Sequence, residues 1–183
     1  AWSLGKQYVQ THSMMKDSNG KIIDWYVLSW SAKWLYDDEV LSDVLTSKEA
    51  IDRNDKRVLE SAWKLLDEAD IVIGHNGDKF DLRKIKARFL SNGIMPPMPY
   101  KTIDTLKVAR KEFALTSNKQ DYITRLLGVQ KKLDTDFQLW VDCMNGDTEA
   151  LKKMEEYNKH DVLGLEQMYL KLRPYISGHP NIA

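Results

Sequence analysis

Tyr157 and Asp161 stand four residues apart in a helix-prone acidic segment, Glu155-Glu156-Tyr157-Asn158-Lys159-His160-Asp161. In a helix that spacing puts a phenol and a carboxylate on one face. Met154, Leu165 and Met168 fall near the same stripe. A carboxylate on an apolar, inward stripe costs free energy unless something pairs with it. A divalent cation is one remedy, because hard cations favour carboxylate oxygens. A hydrogen bond or an ion pair with a lysine is the other, and both readings stand. Far upstream, the apolar run Ile71-Val72-Ile73-Gly74 leads into His75-Asn76-Gly77-Asp78-Lys79-Phe80-Asp81. Strand ends in open sheets collect ligands, which makes Asp81 a candidate site acid. A first-turn acid that merely answers the helix dipole is the plainer reading. Asn76 braces this loop or touches a substrate. Phe80 is expected to anchor the helix that follows. Asp104 is a third acid or, as expected here, a helix cap. Neither His75 nor His160 has the spacing of a metal ligand, so both are read as structural.

Elements must bring these residues together. Residues 8–15 and 21–34 read as two strands joined at the turn signal Asp17-Ser18-Asn19-Gly20. Residues 37–55 read as polar and irregular, with room for a short helix. Val58, Leu59, Ala62, Leu65, Leu66 and Ala69 recur at helical spacing. Residues 71–73 read as a buried strand and 82–91 as a basic amphipathic helix, which Pro96, Pro97 and Pro99 end. Thr102 to Leu106 reads as a short strand leading into a helix. Ser117 and Asn118 are expected to cap a helix over 119–127, with Gly128 stopping it. Residues 136–143 and 149–172 complete the helices, the last introduced by Asn145-Gly146-Asp147-Thr148. Strands first, then helices alternating with strands, predict an α/β or mixed α+β domain.

The 183 residues suit one domain. No run of about 18 apolar residues exists to span a membrane. Cys143 is the sole cysteine, which excludes an intrachain disulfide and a cysteine-based zinc site and suits a reducing, intracellular (cytoplasmic) setting. The net charge is zero, yet residues 79–132 carry 13 Lys/Arg against four Asp/Glu. That concentration could attract phosphate, or it could be a set of solvated helix faces.

Asn76-x-x-x-Phe80-Asp81 resembles the second motif of DEDD-type exonucleases in the ribonuclease-H-like superfamily. Tyr157-x-x-x-Asp161 resembles their third motif in its tyrosine (DEDDy) form. Thr102-Ile103-Asp104-Thr105-Leu106-Lys107, Ser117-Asn118-Lys119-Gln120-Asp121-Tyr122, Leu139-Trp140 and His179-Pro180-Asn181 look like a clade of predicted exonucleases. That clade occurs in bacteria and phages and is related to the proofreading domain of family B DNA polymerases. The likeness runs from about Trp25 to the end of the sequence.

The resemblance implies an α/β domain, a ribonuclease-H-like mixed sheet flanked by helices. It implies a 3′–5′ exonuclease that hydrolyses phosphodiester bonds with two Mg²⁺ or Mn²⁺ ions. Carried over residue by residue, Asp81 and Asp161 would hold metal, and Tyr157 would orient the attacking water. A phenol with a reference pKa of about 10 is a poor base at neutral pH, so the metal would activate that water. Asn76, Lys79, Arg83, Lys84 and Lys86 would contact the nucleic acid, with single-stranded 3′ ends the expected partner. The family's first motif, Asp-x-Glu, has no counterpart near the start of this sequence. Ala1-Trp2-Ser3-Leu4-Gly5 resembles the stretch just after that motif in relatives. The expectation is therefore one domain over residues 1–183, truncated at its N-terminus and lacking the first strand. Asp17, in a turn, and Asp24, in a strand, are poor substitutes. A catalytically incomplete nucleic-acid-binding module is the rival reading, and a structure-specific or RNA-processing nuclease a third.

Overall fold

The computed structural model describes residues 2–5, 15–16, 22–129, 133 and 135–180. Its strands and helices follow in the order β1 (Trp2–Gly5), β2 (Met15–Lys16), β3 (Ile22–Ile23), β4 (Tyr26–Lys33), β5 (Val40–Val44), α1 (Ser47–Asp52), α2 (Lys56–Glu68), β6 (Ile71–Gly74), α3 (Asp81–Ser91), β7 (Lys101–Asp104), α4 (Thr105–Glu112), α5 (Gln120–Leu126), α6 (Phe137–Met144) and α7 (Thr148–Leu172). A 3₁₀ turn, Arg173–Tyr175, follows α7. Three ladders result: an antiparallel sheet in the order β1-β4-β5, a β2–β3 hairpin, and a parallel β6–β7 pair. This is a mixed α/β arrangement flanked by helices, as expected from the sequence.

The N-terminal half departs most from the expectation. Trp2–Gly5 is itself a strand, registered on β4 from Trp2↔Trp30 to Gly5↔Tyr26. The partner of β4 at this edge is therefore β1, not the segment ending at Met15. Of the strand expected over 8–15, only Met15 lies within the described residues, and the turn at 17–20 lies outside them. Met15 opens β2, which pairs with β3 through Met15↔Ile23 and Lys16↔Ile22. The strand expected over 21–34 breaks at Asp24, whose Oδ1 accepts from the Trp25 amide at 2.8 Å. The segment expected to be irregular contains β5, paired with β4 from Ser29↔Val44 to Lys33↔Val40. Val40-Leu41-Ser42-Asp43-Val44 lacks an apolar–polar alternation because it is a half-buried edge whose polar groups have partners. Arg57 reaches Asp43 at 2.7 Å, and the Ser42 hydroxyl meets Glu155 of α7.

The core lies where α2, α3, α6 and α7 cover β4. Tyr26, Val27, Leu28 and Trp30 pack there with Val58, Leu59, Ile85, Phe89, Leu151 and Met154. Burying each large side chain is worth roughly 1.5–3 kcal/mol. A smaller cluster, Ala109, Ile123, Met168 and Leu172, joins α4 and α5 to α7. Helix α7 is laced across the sheet by polar bonds as well. Asn158 donates to the Ser29 hydroxyl, and Lys33 pairs with Glu166 at 2.8 Å. Asp161 lies between those two fastenings.

Local chemistry sets the helix ends. Asp147 caps α7, accepting from the Ala150 amide at 2.8 Å. Gly146 precedes it with φ +79°, and a Cβ there would lie 2.8 Å from the Ser47 carbonyl. Asp136 caps α6 through the Leu139 amide at 3.0 Å. Gly128 stops α5 with φ +64°. Lys119, not Ser117 or Asn118, occupies the N-cap of α5, without a side-chain cap bond. The Asn118 carbonyl is engaged by His75 instead. Asp55, fully buried, accepts from the Val27 amide (2.9 Å) and from Arg88 in a two-pronged pair (2.8 Å each). That pair fixes α3, and with it Asp81, to the sheet. No helix among the described residues is long and apolar enough to cross a membrane.

Candidate active-site cleft

The parallel pair places its C-terminal ends side by side, with Gly74 opposite Asp104. Ligand sites of open α/β sheets form outside such ends. The loop leaving β6 turns sharply, with Asn76 at φ +64°. Gly77 answers the close approach of Gly74: a Cβ built on Gly74 would lie 3.3 Å from the Gly77 Cα. The turn ends at Asp81, the first residue of α3. Asp104 ends β7, and Asp161 arrives from the middle of α7. All three residues, together with Asp78, line one cleft of about 260 Å³.

The three acids differ in setting. Burial pushes the Asp81 carboxyl up to about 6, and the neighbouring charge of Asp104 adds to the effect. Asp104 is both cap and cleft acid. Its Oδ1 accepts from the Leu106 amide at 3.0 Å, capping α4, and from the Asn76 amide at 2.8 Å. The two expectations for Asp104, cap or third acid, are thus not alternatives. The backbone carbonyl of Asp161 accepts from Gln120 Nε2 at 3.0 Å. Gln120 also lines the cleft.

Asp81 and Asp161 line the cleft, and Tyr157 is not among its lining residues. Its ring is 6% exposed and packs edge-on against Trp140 in the main core, centroids 6.1 Å apart. The Asn76 backbone N–H, rather than the side-chain amide expected to brace the loop, donates to Asp104 Oδ1 at 2.8 Å. His75 is structural, as expected: Nδ1 lies 2.9 Å from the Thr105 hydroxyl and Nε2 lies 2.9 Å from the Asn118 carbonyl. Burial lowers its pKa, and with both ring nitrogens engaged it has no lone pair left for a metal. His160 does not line the cleft.

Phe80 corrects the expectation of a helix anchor. It is 45% exposed and lines the cleft, because Leu82, Ile85 and Phe89 fill the buried face of α3. Lys84 extends over the Phe80 ring, 5.5 Å from its centroid, and over the Trp25 ring. Lys79 and Arg83 are exposed nearby, while Lys86 lies 5.8 Å from the Tyr100 centroid. Phe80 thus brings an aromatic face to the cleft, with Lys84 reaching over its ring. A second groove, of about 650 Å³, adjoins the cleft at Leu82 and Leu165 and runs between β4 and β6. Gln120 and Asp78 are cleft residues that sequence reasoning passed over. Both stand within stretches that carry the family resemblance, 75–81 and 117–122, yet nothing in their residue types singled them out.

Carboxylates are the correct donors for a hard divalent ion. Among the described residues, however, no three His, Cys, Asp or Glu side chains are gathered closely enough to hold one. The donor chemistry fits a metal, and the described side chains supply part of a ligand set.

An α/β domain that collects acids at the C-terminal ends of parallel strands has the layout of an open-sheet ligand site. Residues 32–173 match the family model RNase_H_2, described as RNase_H superfamily, and the chain belongs to that superfamily. Its domains are generally nucleic-acid-handling nucleases. No curated protein matches the chain.

Proposed function

We propose that this domain is the catalytic core of a metal-dependent 3′–5′ exonuclease acting on single-stranded ends of nucleic acid. The observation that carries the reading is the convergence of Asp81, Asp104 and Asp161 on one cleft. Asp81 and Asp161 would hold Mg²⁺ or Mn²⁺, and Asp104 adds negative charge beside them. When bound, such ions polarise the scissile phosphate and acidify the attacking water. The chain's own residues do the rest. Asp81 supplies a buried carboxylate whose charge is costly until a cation neutralises it. Lys79, Arg83 and Lys84 attract the phosphate backbone. The exposed ring of Phe80 offers a stacking face to a terminal base, an interaction worth about 1–3 kcal/mol. Tyr157 enters through the helix: its ring, seated on Trp140, fixes the turn that ends in Asp161.

The test is digestion of end-labelled single-stranded DNA and RNA with Mg²⁺ or Mn²⁺. Stepwise shortening from the 3′ end by the full-length protein is expected, with loss of cleavage in Asp81→Asn and Asp161→Asn. Cleavage by either variant at the wild-type rate would refute the assignment, and internal cuts would point to an endonuclease or RNA-processing enzyme. One observation favours a second reading, a nucleic-acid-binding module without catalysis: the absence of a three-donor group among the described residues. Tight binding without cleavage, indifferent to metal, would establish it.

A further inference from the structure

Of the four acids that line the cleft, Asp81, Asp104 and Asp161 stand on separate elements that no one β-ladder unites. Asp81 and Asp104 belong to the parallel pair and its loops, while Asp161 belongs to a helix fastened to β4 and β5. A short segment, residues 118–120, bridges the two halves. At one end the Asn118 carbonyl meets His75 Nε2 at 2.9 Å. At the other, Gln120 Nε2 donates to the Asp161 carbonyl at 3.0 Å. We infer that this segment is a strap that sets the distance between Asp161 and the Asp81/Asp104 pair, with His75 and Gln120 as its two positioning residues. The inference rests on the nuclease reading of the cleft.

The bonding at His75 explains why a histidine suits the place. A carbonyl can only accept, so Nε2 carries the proton that goes to Asn118. Nδ1 faces the Thr105 hydroxyl at 2.9 Å, and Thr105 Oγ1 also lies 3.1 Å from the Gly74 carbonyl. The ring thereby joins the start of α4 to the strap. Thr105 adjoins Asp104, so the same bonds hold the cap acid in place. Gln120 lies on the first turn of α5. It projects across to α7 at the residue whose carboxylate lines the cleft. Alanine at either position cuts the strap at one end and leaves the acids themselves untouched. Because both ends serve one distance, the second cut adds little to the first.

The experiment compares wild type, His75→Ala, Gln120→Ala, the double variant and His75→Gln, which keeps an N–H for the Asn118 carbonyl. Two readouts are taken on each: the Mn²⁺ concentration giving half of the maximal thermal shift, and the urea midpoint in EDTA. Each alanine variant is expected to raise the half-saturating Mn²⁺ concentration about tenfold, the usual scale for removing a residue that orients a metal ligand. The double variant should be no worse than the weaker single variant, and His75→Gln should bind as wild type does. Single variants that bind Mn²⁺ as wild type does, or a double variant whose loss is the product of the two, would overturn the strap. If wild type itself shows no Mn²⁺ shift, the nuclease reading fails while the urea midpoints still decide the strap. A combined loss smaller than the sum then supports it, and a fully additive loss refutes it.

Discussion

Replacing Asp81 with asparagine should make the metal-free protein more stable. Burial and the nearby charge of Asp104 raise the Asp81 carboxyl from its ordinary 3.8 to about 6. The sign follows from the proton balance. Below about pH 4 the group is protonated in both folded and unfolded chains, so it contributes no difference. Between about 4 and 6 the unfolded chain gives up its proton first, and the folded state loses stability as the pH rises. Above about 6 both forms are ionised and the deficit is constant. A displacement of about two pH units, at about 1.4 kcal/mol each, gives a deficit of about 3 kcal/mol. The neutral amide of the variant carries no such cost. The advantage of Asp81→Asn over wild type should therefore be near zero at about pH 4 and grow to a plateau of about 3 kcal/mol above pH 6. For a domain of this size that corresponds to a gain of about 6–12 °C in Tm. Thermal and urea melts in EDTA, run on both proteins from pH 4 to pH 8, measure the difference directly. A variant no more stable than wild type at pH 8, or an advantage that does not change with pH, would refute the burial argument.

Other substitutions probe the fold and the cleft separately. Asp55→Ala leaves Arg88 buried without its carboxylate and should cost about 3–5 kcal/mol by urea denaturation; a loss under about 1 kcal/mol would show that α3 is held by other means. Tyr157→Phe keeps the ring on Trp140 and should retain at least about half of any nuclease rate, whereas a loss of about a hundredfold would show that the hydroxyl reaches the reacting water. Glu49, held down to about 2 chiefly by its hydrogen bond to Arg57, contributes stability above its ordinary 4.5 that is lost as the pH falls toward 2. Glu49→Gln should accordingly flatten the acid limb of the stability curve, and an unchanged limb would contradict the pairing. Phe80→Ala should weaken binding of single-stranded DNA by about 1–3 kcal/mol with little change in Tm, and equal binding by filter or fluorescence titration would remove it from the interface.

The helices were legible because their apolar residues recur with the period of a buried face, as Val58, Leu59, Ala62 and Leu66 do. The loop that ends in Asp81 was legible for a different reason: a short apolar run followed by glycines and polar groups leaves few options for the backbone. Strand β5 was not, because its pairing depends on a distant strand and its polar side chains on Arg57 and Glu155. The position of Phe80 was misread because the sequence does not say which of several apolar residues wins the buried face of α3. Tyr157 shows the limit of helical spacing. Four residues place it on the same side as Asp161, yet a ring one turn away meets Trp140 while the carboxylate meets the cleft. Gln120 stood in a stretch that resembles the family, but its role was unreadable, since its partner is a backbone carbonyl 41 residues along the chain.

The Asn158–Ser29 bond has a consequence for how the chain is made. Its partners are 129 residues apart, and β4 is covered by the helix that carries Asn158. During synthesis from the N-terminus, the part of β4 that α7 covers stays open until that helix has left the ribosome. Long-range closure of this kind is slow and leaves sticky surface exposed in the interim. The nascent chain should therefore depend on holding factors or slow translation until its last helix emerges.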